Sequence, residues 1–345
     1  MERTVTVEGA RAAARSRDPL LSVRDLVTVF PTVDGVAIAA NHVSFDLELG
    51  ETMGLVGESG SGKSVTSRSI IRLVPEPGEI LAGSIRFDGR ELLSLSPADL
   101  RALRGAEISM IFQDPMSSLN PVYPIGDQIT EPLRIHRGLS RRAAREEAAA
   151  LLARVGIPAP RERLDAYPHE LSGGMRQRVM IAIAISCRPK LLLADEPTTA
   201  LDVTIQDQIL TLLLELQAEE GMAILLVSHD LGVIAQTCDR VSVMYAGYVV
   251  EQAATDVLFE RPRHPYTAAL LKALPELAAY SEGRRLVPIA GQPPDLARLV
   301  PGCPFAPRCE FAHGNESSRR EVSMELLEAD HEHWTACPFH AEIVL

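Results

Sequence analysis

The strongest candidate for chemistry is a glycine-rich stretch that carries a lysine. It fits the pattern G-x-x-x-x-G-K-S, and we assign the stretch and the residue after it to one site: Gly57, Glu58, Ser59, Gly60, Ser61, Gly62, Lys63, Ser64 and Val65. Such glycines let backbone N–H groups curl round the β-phosphate of a nucleotide. Lys63 is expected to reach the β- and γ-phosphates, and the Ser64 hydroxyl to bind Mg²⁺. Alone, the motif predicts only a nucleoside triphosphate site.

The context of this loop supports the prediction. The apolar residues 52–56 before it read as a buried strand, and a helix is predicted to begin near Gly62. The N-terminal end of that helix would add positive charge beside a phosphate. The alternative is a Gly/Ser turn that carries a lysine by chance, which the flanking strand and helix disfavour.

A second candidate is a pair of adjacent carboxylates, Asp195 and Glu196, at the end of the apolar run 191–194. Two acids on a buried strand are costly unless a cation meets them. Asp195 is predicted to hold Mg²⁺, directly or through water, and Glu196 to act as the base for the attacking water. Helix capping is the alternative role for the pair, but Pro197 and the glycine-rich loop upstream make it the weaker one.

Three further elements complete the pattern of a nucleotide hydrolase. Gln113 is expected to sense Mg²⁺ and the γ-phosphate, and His229, which follows another apolar run, to donate to the γ-phosphate. A lone histidine is more often structural, but its place after the third strand of a nucleotide-binding core reverses that expectation. The turn Ser172, Gly173 and Gly174 enters a helix and so offers backbone donors and a positive helix end to a phosphate.

These residues need a sheet to position them, and the sequence predicts one. Strand-like runs alternate with helical patterns and lie at residues 26–30, 43–47, 52–56, 191–194 and 223–227. The first runs give a β-rich N-terminal part, and a helical periodicity between the last two indicates a parallel crossover and an α/β core. Residues 115–186 read as a helical subdomain. After about residue 261 proline becomes frequent, which predicts an irregular C-terminal extension.

The bulk composition narrows the function. The 345 residues carry a formal net charge of −12, with 46% apolar and 23% charged residues. An acidic surface repels phosphate backbones, so a general nucleic-acid binder is disfavoured. No apolar run approaches the roughly 20 residues that span a bilayer, and residues 1–20 lack the apolar stretch of a secretion signal and read as a disordered lead-in. The protein is expected to stay in the cytoplasm and to reach a membrane only through partners.

The order of these motifs resembles the ABC ATPase module, a P-loop NTPase, over residues 21–262. In that family two modules face each other head to tail, and each ATP lies between one subunit's phosphate loop and the other's Ser-Gly-Gly turn. The resemblance therefore implies that Ser172, Gly173 and Gly174 serve the partner's nucleotide. Phe30 is our choice for the aromatic that stacks on adenine, with a core-facing strand position as the alternative.

Three stretches narrow the resemblance to the oligopeptide, dipeptide and nickel importers. They are residues 113–121, residues 172–181, and the tail motifs at residues 263–267 and 302–309. The resemblance implies an importer-type extension over residues 263–345. It also implies an ATPase subunit that two integral-membrane permeases hold at the cytoplasmic face of the cell membrane. The subunit is expected to form a heterodimer with a second ATPase rather than a homodimer. An extracytoplasmic solute-binding protein is expected as an indirect partner. Peptides are the expected solute; nickel or another small solute is the alternative.

The extension also carries Cys303, Cys309 and Cys337. Relatives commonly have four cysteines here, which in some members hold an iron–sulfur cluster, but this chain has glutamate where the third is usual. Three thiolates can hold a cluster or a structural Zn²⁺ with one further ligand. The candidates for that ligand are Glu316, His313 and His340. A tail without metal is an equally weighted alternative.

Two rival functions belong to other classes. A soluble ABC ATPase acting on DNA or ribosomes would be expected to carry a long coiled-coil insertion, zinc modules or two modules in one chain. The sequence has one module, no heptad run and an acidic balance. A regulator that only binds nucleotide is the second rival, and the presence of both Glu196 and His229 favours hydrolysis instead.

Overall fold

The computed structural model describes residues 18–114, 118–199, 201–273, 288–299, 301–312 and 322–341. Residues 1–17 of the predicted lead-in lie outside these ranges, as do His313 and Glu316. The chain divides into two compact units, Met1–Ser94 with Ser228–Leu345, and Leu95–Val227. Within the described ranges, no helix combines the length and the apolar character needed to cross a membrane.

The first unit begins with strands and a helix. They are β1 (Leu21–Thr32), β2 (Gly35–Leu47), β3 (Thr52–Val56), α1 (Lys63–Ile70), β4 (Glu79–Phe87) and β5 (Arg90–Glu91). Four of these strands form an antiparallel sheet in the order β2-β1-β4-β5. The β-rich N-terminal part is thus confirmed. Strand β3 is buried at every residue, as its unbroken apolar pattern predicts.

The second unit is an α/β arrangement with a long helical stretch. Its elements are α2 (Pro97–Leu103), β6 (Ile108–Ile111), α3 (Ile125–His136), α4 (Arg141–Arg154), α5 (Pro160–Arg163), α6 (Gly173–Ile185), β7 (Leu191–Asp195), α7 (Val203–Glu220) and β8 (Ala223–Ser228). Strand β7 pairs in parallel with β6 on one side and β8 on the other. The α/β class is confirmed, and helices α3 to α6 follow one another between β6 and β7.

Local sequence signals set the limits of two of these helices. The Ser140 side chain caps α4 by accepting the Ala143 N–H, and Gly156 follows the helix with a left-handed φ of +76°. Helix α7 begins at the Asp202 cap and ends at Gly221. Its buried side chains are those of Ile209, Leu210, Leu212, Leu213 and Leu216. Capping and helical periodicity therefore account for both helices.

The first unit resumes after β8 and includes the C-terminal extension. Its further elements are α8 (Leu231–Thr237), β9 (Arg240–Tyr245), β10 (Tyr248–Ala254), α9 (Thr255–Glu260), α10 (Pro265–Lys272), β11 (Leu327–Asp330) and β12 (His333–Thr335). Strand β9 pairs in parallel with β3 and antiparallel with β10. The sequence predicts an irregular extension, but β11 and β12 form a hairpin and β12 pairs with β10. The extension thus adds strands to the sheet that contains β10. Pairing with β10 satisfies backbone N–H and C=O groups of the extension for which its own sequence pattern predicts no partner.

A buried carboxylate ties the extension to this sheet. Glu251 on β10 is fully buried and accepts hydrogen bonds from the backbone N–H groups of Arg263 (2.6 Å) and His264 (2.9 Å). Its Oε1 also lies 2.7 Å from Nε2 of the fully buried His333 on β12. Buried carboxylates need such partners, so Glu251 fixes the start of α10 and β12 against β10.

The N-cap of α10, His264, makes the stability of the first unit depend on pH. Its Nδ1 accepts the Tyr266 N–H (3.1 Å), and complete burial lowers the pKa of His264 from 6.5 to about 3. Between those values the unfolded chain binds a proton that the folded protein does not, so the free energy of unfolding falls as pH drops through this window. We expect a loss of about 2 kcal/mol on acidification from about pH 6.5 to about pH 5.

Urea unfolding of the full chain at about pH 7 and about pH 5 measures this effect. The variant His264→Asn keeps a capping side chain and is expected to lose this part of the pH dependence. An equal loss of stability in wild type and variant on acidification would contradict the prediction.

Candidate active site

The glycine-rich loop follows β3 directly, and its backbone requires two of its glycines. Gly57 and Gly62 have φ angles of +152° and +104°. A Cβ on Gly57 would stand 2.1 Å from the Met244 carbonyl oxygen, and one on Gly62 would stand 2.0 Å from that of Ala39. Both distances are far inside van der Waals contact, so only glycine fits at either position. Two backbone segments of the first unit therefore hold the loop in this shape.

Lys63, the first residue of α1, is 4% exposed. Its Nζ donates to the carbonyl oxygens of Gly57 (2.7 Å) and Glu58 (2.9 Å) and lies 3.5 Å from the Ser61 Oγ. A buried ammonium needs such acceptors because its desolvation is costly. The ammonium is thus held between the beginning of the loop and Ser61, where it can pair with an anion bound by the loop.

Helix α1 presents a positive N-terminal end. No side chain caps the helix at Gly62, and its first turn contains no acidic residue. Ser64 and Val65 lie in this turn and are half-buried, whereas Ser59 and Gly60 of the loop are exposed. Backbone N–H groups at a helix start attract anions. The loop and the helix start together form an arrangement suited to phosphate.

In the second unit, β7 brings two carboxylates to its end. Asp195 is fully buried, and Glu196 follows it with a left-handed φ of +48°. That conformation costs a non-glycine residue about 1–3 kcal/mol. The Glu196 N–H donates to the Val227 carbonyl (3.0 Å), which helps to hold the strained turn. Backbone strain of this kind concentrates at functional sites.

The structure brings Gln113 and Glu196 into contact although 83 residues separate them. The Gln113 Nε2 donates to the Glu196 Oε2 at 2.8 Å, and the Thr199 Oγ1 donates to the same oxygen at 2.8 Å. Gln113 follows β6, which pairs with β7, so the sheet itself aligns the two side chains. Two donors on one oxygen fix the orientation of the carboxylate.

The Ser-Gly-Gly turn lies at the start of α6. The Ser172 Oγ caps the helix by accepting the Met175 N–H (3.3 Å), and the first turn has no acidic residue. Ser172 and Gly173 are exposed, and Gly174 is half-buried. A Cβ on Gly173 would come only within 3.9 Å of the Leu201 side chain. Packing within the second unit therefore does not require glycine at position 173, and the turn is open to close approach by another molecule.

His229 and Phe30 belong to the first unit. His229 is exposed and follows β8, and the next residue, Asp230, caps α8 with its side chain. Phe30 on β1 is half-buried, and its ring lies close to Gly78, where a Cβ would stand 2.5 Å from the Phe30 Cε1. His229 is therefore accessible to a ligand, and the Phe30 ring is only partly covered.

No disulfide joins the three tail cysteines; Cys337 is buried, and Cys303 and Cys309 are half-buried. Burial raises the pKa of Cys303, and it raises that of Cys337 to about 11. Among the described residues, no three His, Cys, Asp or Glu side chains are grouped to hold a metal ion. The predicted iron–sulfur cluster or Zn²⁺ thus has no support in this part of the chain, which includes His340.

The three predicted magnesium ligands all offer oxygen atoms. They are the Ser64 hydroxyl, the Gln113 amide and the Asp195 carboxylate. Mg²⁺ prefers oxygen donors and binds one or two carboxylates together with substrate phosphates. The Asp195 carboxylate is fully buried, and a cation is one of the partners that a buried carboxylate can take. Each of these three groups is therefore of a type that a magnesium ion accepts as a ligand.

Three residues that hold candidate site residues escape the sequence patterns: Thr199, Tyr266 and Arg308. Thr199 donates to the Glu196 carboxylate, as described above. Tyr266 and Arg308 both bind Glu58 of the loop, the hydroxyl by accepting its N–H (2.8 Å) and the guanidinium by pairing with its carboxylate (2.6 Å). The tail motifs at residues 263–267 and 302–309 include Tyr266 and Arg308, but only as family features and not as contacts with the loop.

Comparison with known proteins agrees with these features. Residues 40–199 match the family model described as ABC transporter, and residues 250–315 match the model described as oligopeptide/dipeptide transporter, C-terminal region. The oligopeptide transport ATP-binding protein OppD of Salmonella typhimurium is 52% identical over 305 residues, which cover 88% of this chain and 90% of that protein. The dipeptide transport ATP-binding protein DppD of Bacillus subtilis is 52% identical over 293 residues, which cover 85% of this chain and 87% of that protein.

Solved structures agree as well. The dimeric post-hydrolysis structure of the ATP-binding cassette MJ0796, bound to ADP and Pi, matches with a TM-score of 0.62 at 27% sequence identity. The match covers 68% of this chain and 98% of that one. The fold predicted from the sequence motifs is thereby confirmed.

Proposed function

This chain belongs to the ABC transporter family, in the branch of oligopeptide and dipeptide transport ATP-binding proteins, and we propose that it energises the import of peptides. As a member of this family it binds and hydrolyses ATP. The observation that carries the proposal is the geometry of Glu196, whose backbone is strained and whose carboxylate is oriented by two hydrogen-bond donors. The C-terminal region of the same chain matches the peptide-transporter type.

Residues 57–65 are proposed to bind the phosphates of ATP. Because two loop glycines leave no room for a side chain, backbone N–H groups can approach phosphate oxygens closely, and the start of α1 adds its positive end. Lys63 donates to the β- and γ-phosphates. When bound, Mg²⁺ would neutralise phosphate charge. The residues to hold it are Ser64, Gln113 and Asp195.

We assign Glu196 the role of the base that takes a proton from the attacking water. Because Gln113 and Thr199 hold its carboxylate in one orientation, less freedom is lost on reaching the reactive geometry. As the proton moves to Glu196, the water oxygen bonds to the γ-phosphorus and the bond to the β-phosphate oxygen breaks. His229 is proposed to donate to the γ-phosphate and to stabilise its charge, and Phe30 to stack on adenine.

The Ser-Gly-Gly turn is proposed to bind the nucleotide of a partner ATPase. The exposed start of α6, without acidic residues in its first turn, suits a phosphate. Gly173 is open although packing within its own unit does not require glycine. The similar cassette MJ0796 is dimeric in its structure with ADP and Pi. We propose that the partner is a related but unlike ATPase subunit.

We propose that two integral-membrane permease subunits hold the chain at the cytoplasmic face of the membrane, and that a solute-binding protein outside delivers peptides to them. The second unit exposes apolar side chains near Gln113 in the sequence: Val122 is 71% exposed and Ile135 is 68% exposed. A protein contact along this stretch would cover these side chains, and we assign it to the permease. The net charge of −12 disfavours nucleic acid as a partner.

We expect specific partner proteins to co-purify with the Glu196→Gln variant from solubilised membranes. Because this variant lacks the base for hydrolysis, it is expected to keep ATP bound between the two facing ATPase subunits and so to hold the assembly together. Affinity purification of the tagged variant, followed by mass spectrometry, is expected to recover two multi-span permeases and a second ATPase. The tagged wild-type protein, which continues to hydrolyse ATP, is the matched control and is expected to recover less of them.

Two other outcomes are informative. Ribosomal or DNA-associated proteins in place of permeases would contradict the transporter assignment while leaving the ATPase module in place. A co-purified binding protein that holds nickel and not peptide would contradict the solute and keep the assembly.

A further inference from the structure

Glu58, the second residue of the phosphate loop, is bound by the C-terminal extension. Its backbone N–H donates to the Tyr266 hydroxyl (2.8 Å), and its carboxylate pairs with Arg308. Its carbonyl accepts a hydrogen bond from the Lys63 Nζ (2.9 Å). Tyr266 and Arg308 lie 208 and 250 residues further along the chain. The extension therefore adds contacts from distant residues to the local ones that hold this part of the loop.

Arg308 holds Glu58 in a two-pronged ion pair. Its Nη1 lies 2.6 Å from Oε2 and its Nη2 lies 3.0 Å from Oε1 of Glu58. The Arg308 side chain is 5% exposed and that of Glu58 is 25% exposed, so water screens this pair less than a surface ion pair. The match between two N–H donors and two carboxylate oxygens restricts Glu58 to one orientation, and lysine cannot reproduce it.

Arg308 is itself held in place by further contacts. Its Nε donates to the Ala290 carbonyl (2.8 Å), and its Nη1 donates to the Tyr245 hydroxyl (3.2 Å). The guanidinium also lies over the rings of Tyr245 and Phe305, at 5.8 and 5.9 Å from their centroids. The hydrogen bonds to Glu58 raise the pKa of Arg308, so its charge is permanent. A displacement of the extension at Arg308 would therefore be transmitted to Glu58.

Tyr266 provides the second contact with the loop. It is fully buried on α10, and its ring packs against Tyr245 and Phe305, with centroids 4.5 and 5.3 Å apart. Burial raises the pKa of the Tyr266 hydroxyl, which stays protonated while its oxygen accepts the Glu58 N–H. Because its N–H is used in this way, Glu58 anchors the loop through that group and does not use it to bind phosphate.

We propose that Arg308 and Tyr266 are positioning residues for the phosphate loop, so that the C-terminal extension sets the affinity of the chain for ATP. Through Glu58 they place one of the carbonyls that receive the Lys63 ammonium, and with it the beginning of the loop. The inference rests on the proposed role of residues 57–65 in binding ATP. The extension would thus act on ATP binding whether or not its cysteines bind a metal.

Equilibrium binding to the purified full chain tests this proposal. The probe is Mg²⁺ with AMP-PNP, an ATP analogue that is not hydrolysed, and the readout is Kd from isothermal titration calorimetry. Arg308→Ala is expected to raise Kd on the order of tenfold, because the beginning of the loop loses its anchor. Arg308→Lys is expected to recover part of the loss. Tyr266→Phe removes the hydroxyl and keeps the ring packing, and it is expected to weaken binding as well.

Arg263→Ala is the matched control. Arg263 lies in the same extension and pairs with Asp330 on β11 (3.1 Å between Nε and Oδ2), and its loss is expected to leave Kd unchanged. Wild-type Kd values in Arg308→Ala and Tyr266→Phe would overturn the proposal. So would an equal loss in Arg263→Ala, because the extension would then act only through general stability. If Arg308→Ala does not fold, the Kd of Tyr266→Phe alone tests the proposal. Absence of binding in the wild type would overturn the proposed nucleotide function itself.

Discussion

Replacing Glu196 with glutamine is expected to reduce ATP turnover by about 100-fold or more while nucleotide affinity stays close to that of the wild type. The amide cannot take a proton from water. It has nearly the shape of the carboxylate, and its carbonyl oxygen can still accept hydrogen bonds from Gln113 and Thr199. The strained backbone at this position (φ +48°) need not change. A loss confined to turnover would separate proton transfer from positioning.

Phosphate release by the assembly with its permeases at saturating Mg-ATP measures the turnover of this variant, and equilibrium binding of AMP-PNP measures its affinity. Glu215→Gln, at an exposed position of α7, is the matched control for the loss of one carboxylate and is expected to turn over at the wild-type rate. Wild-type-like turnover in Glu196→Gln would contradict the role of base that we assign to Glu196.

Replacing Lys63 with alanine is expected to weaken nucleotide binding by about 100-fold, which corresponds to the loss of charge-assisted hydrogen bonds to phosphate oxygens. The buried ammonium also bridges the Gly57 and Glu58 carbonyls (2.7 and 2.9 Å). Alanine removes that donor from both, so the loop is expected to relax as well. Both consequences act on binding, and turnover falls with them, in contrast to the Glu196 variant.

Titration of the full chain with Mg-AMP-PNP checks this expectation, and urea unfolding shows whether the variant is folded. Lys272→Ala is the matched control, because Lys272 is 54% exposed and pairs at 3.6 Å with Glu310 of the extension. It is expected to bind as the wild type does. Unchanged affinity in folded Lys63→Ala would remove Lys63 from the nucleotide site.

Much of the fold could be predicted because its signals are local. Unbroken apolar runs predict β3 and β7, which the structure buries at every residue. Caps and helical spacing predict α4 and α7. The phosphate loop is equally recognisable, because its glycines and its lysine are neighbours in the chain.

Other features depend on distant segments, and the sequence patterns do not reach them. The hairpin of β11 and β12 pairs with β10 through backbone groups that any residue can supply, so an extension rich in proline reads as irregular. The contact between Arg308 and Glu58 spans 250 residues. The tail cysteines are a different case. Among the described residues no group of three possible ligands is close enough to hold a metal ion, and a family motif by itself does not establish such a grouping.

The sequence by itself predicted residues that can do the chemistry and most of the strands and helices that carry them, because residue type and spacing are local properties. Only the tertiary structure decided that the carbonyls of Met244 and Ala39 exclude any side chain at Gly57 and Gly62. It also decided that Gln113 and Thr199 orient Glu196. The physical reason is that the packing of a whole unit sets the distances of a few ångströms between remote segments. The secondary-structure propensity of any one stretch does not determine these distances.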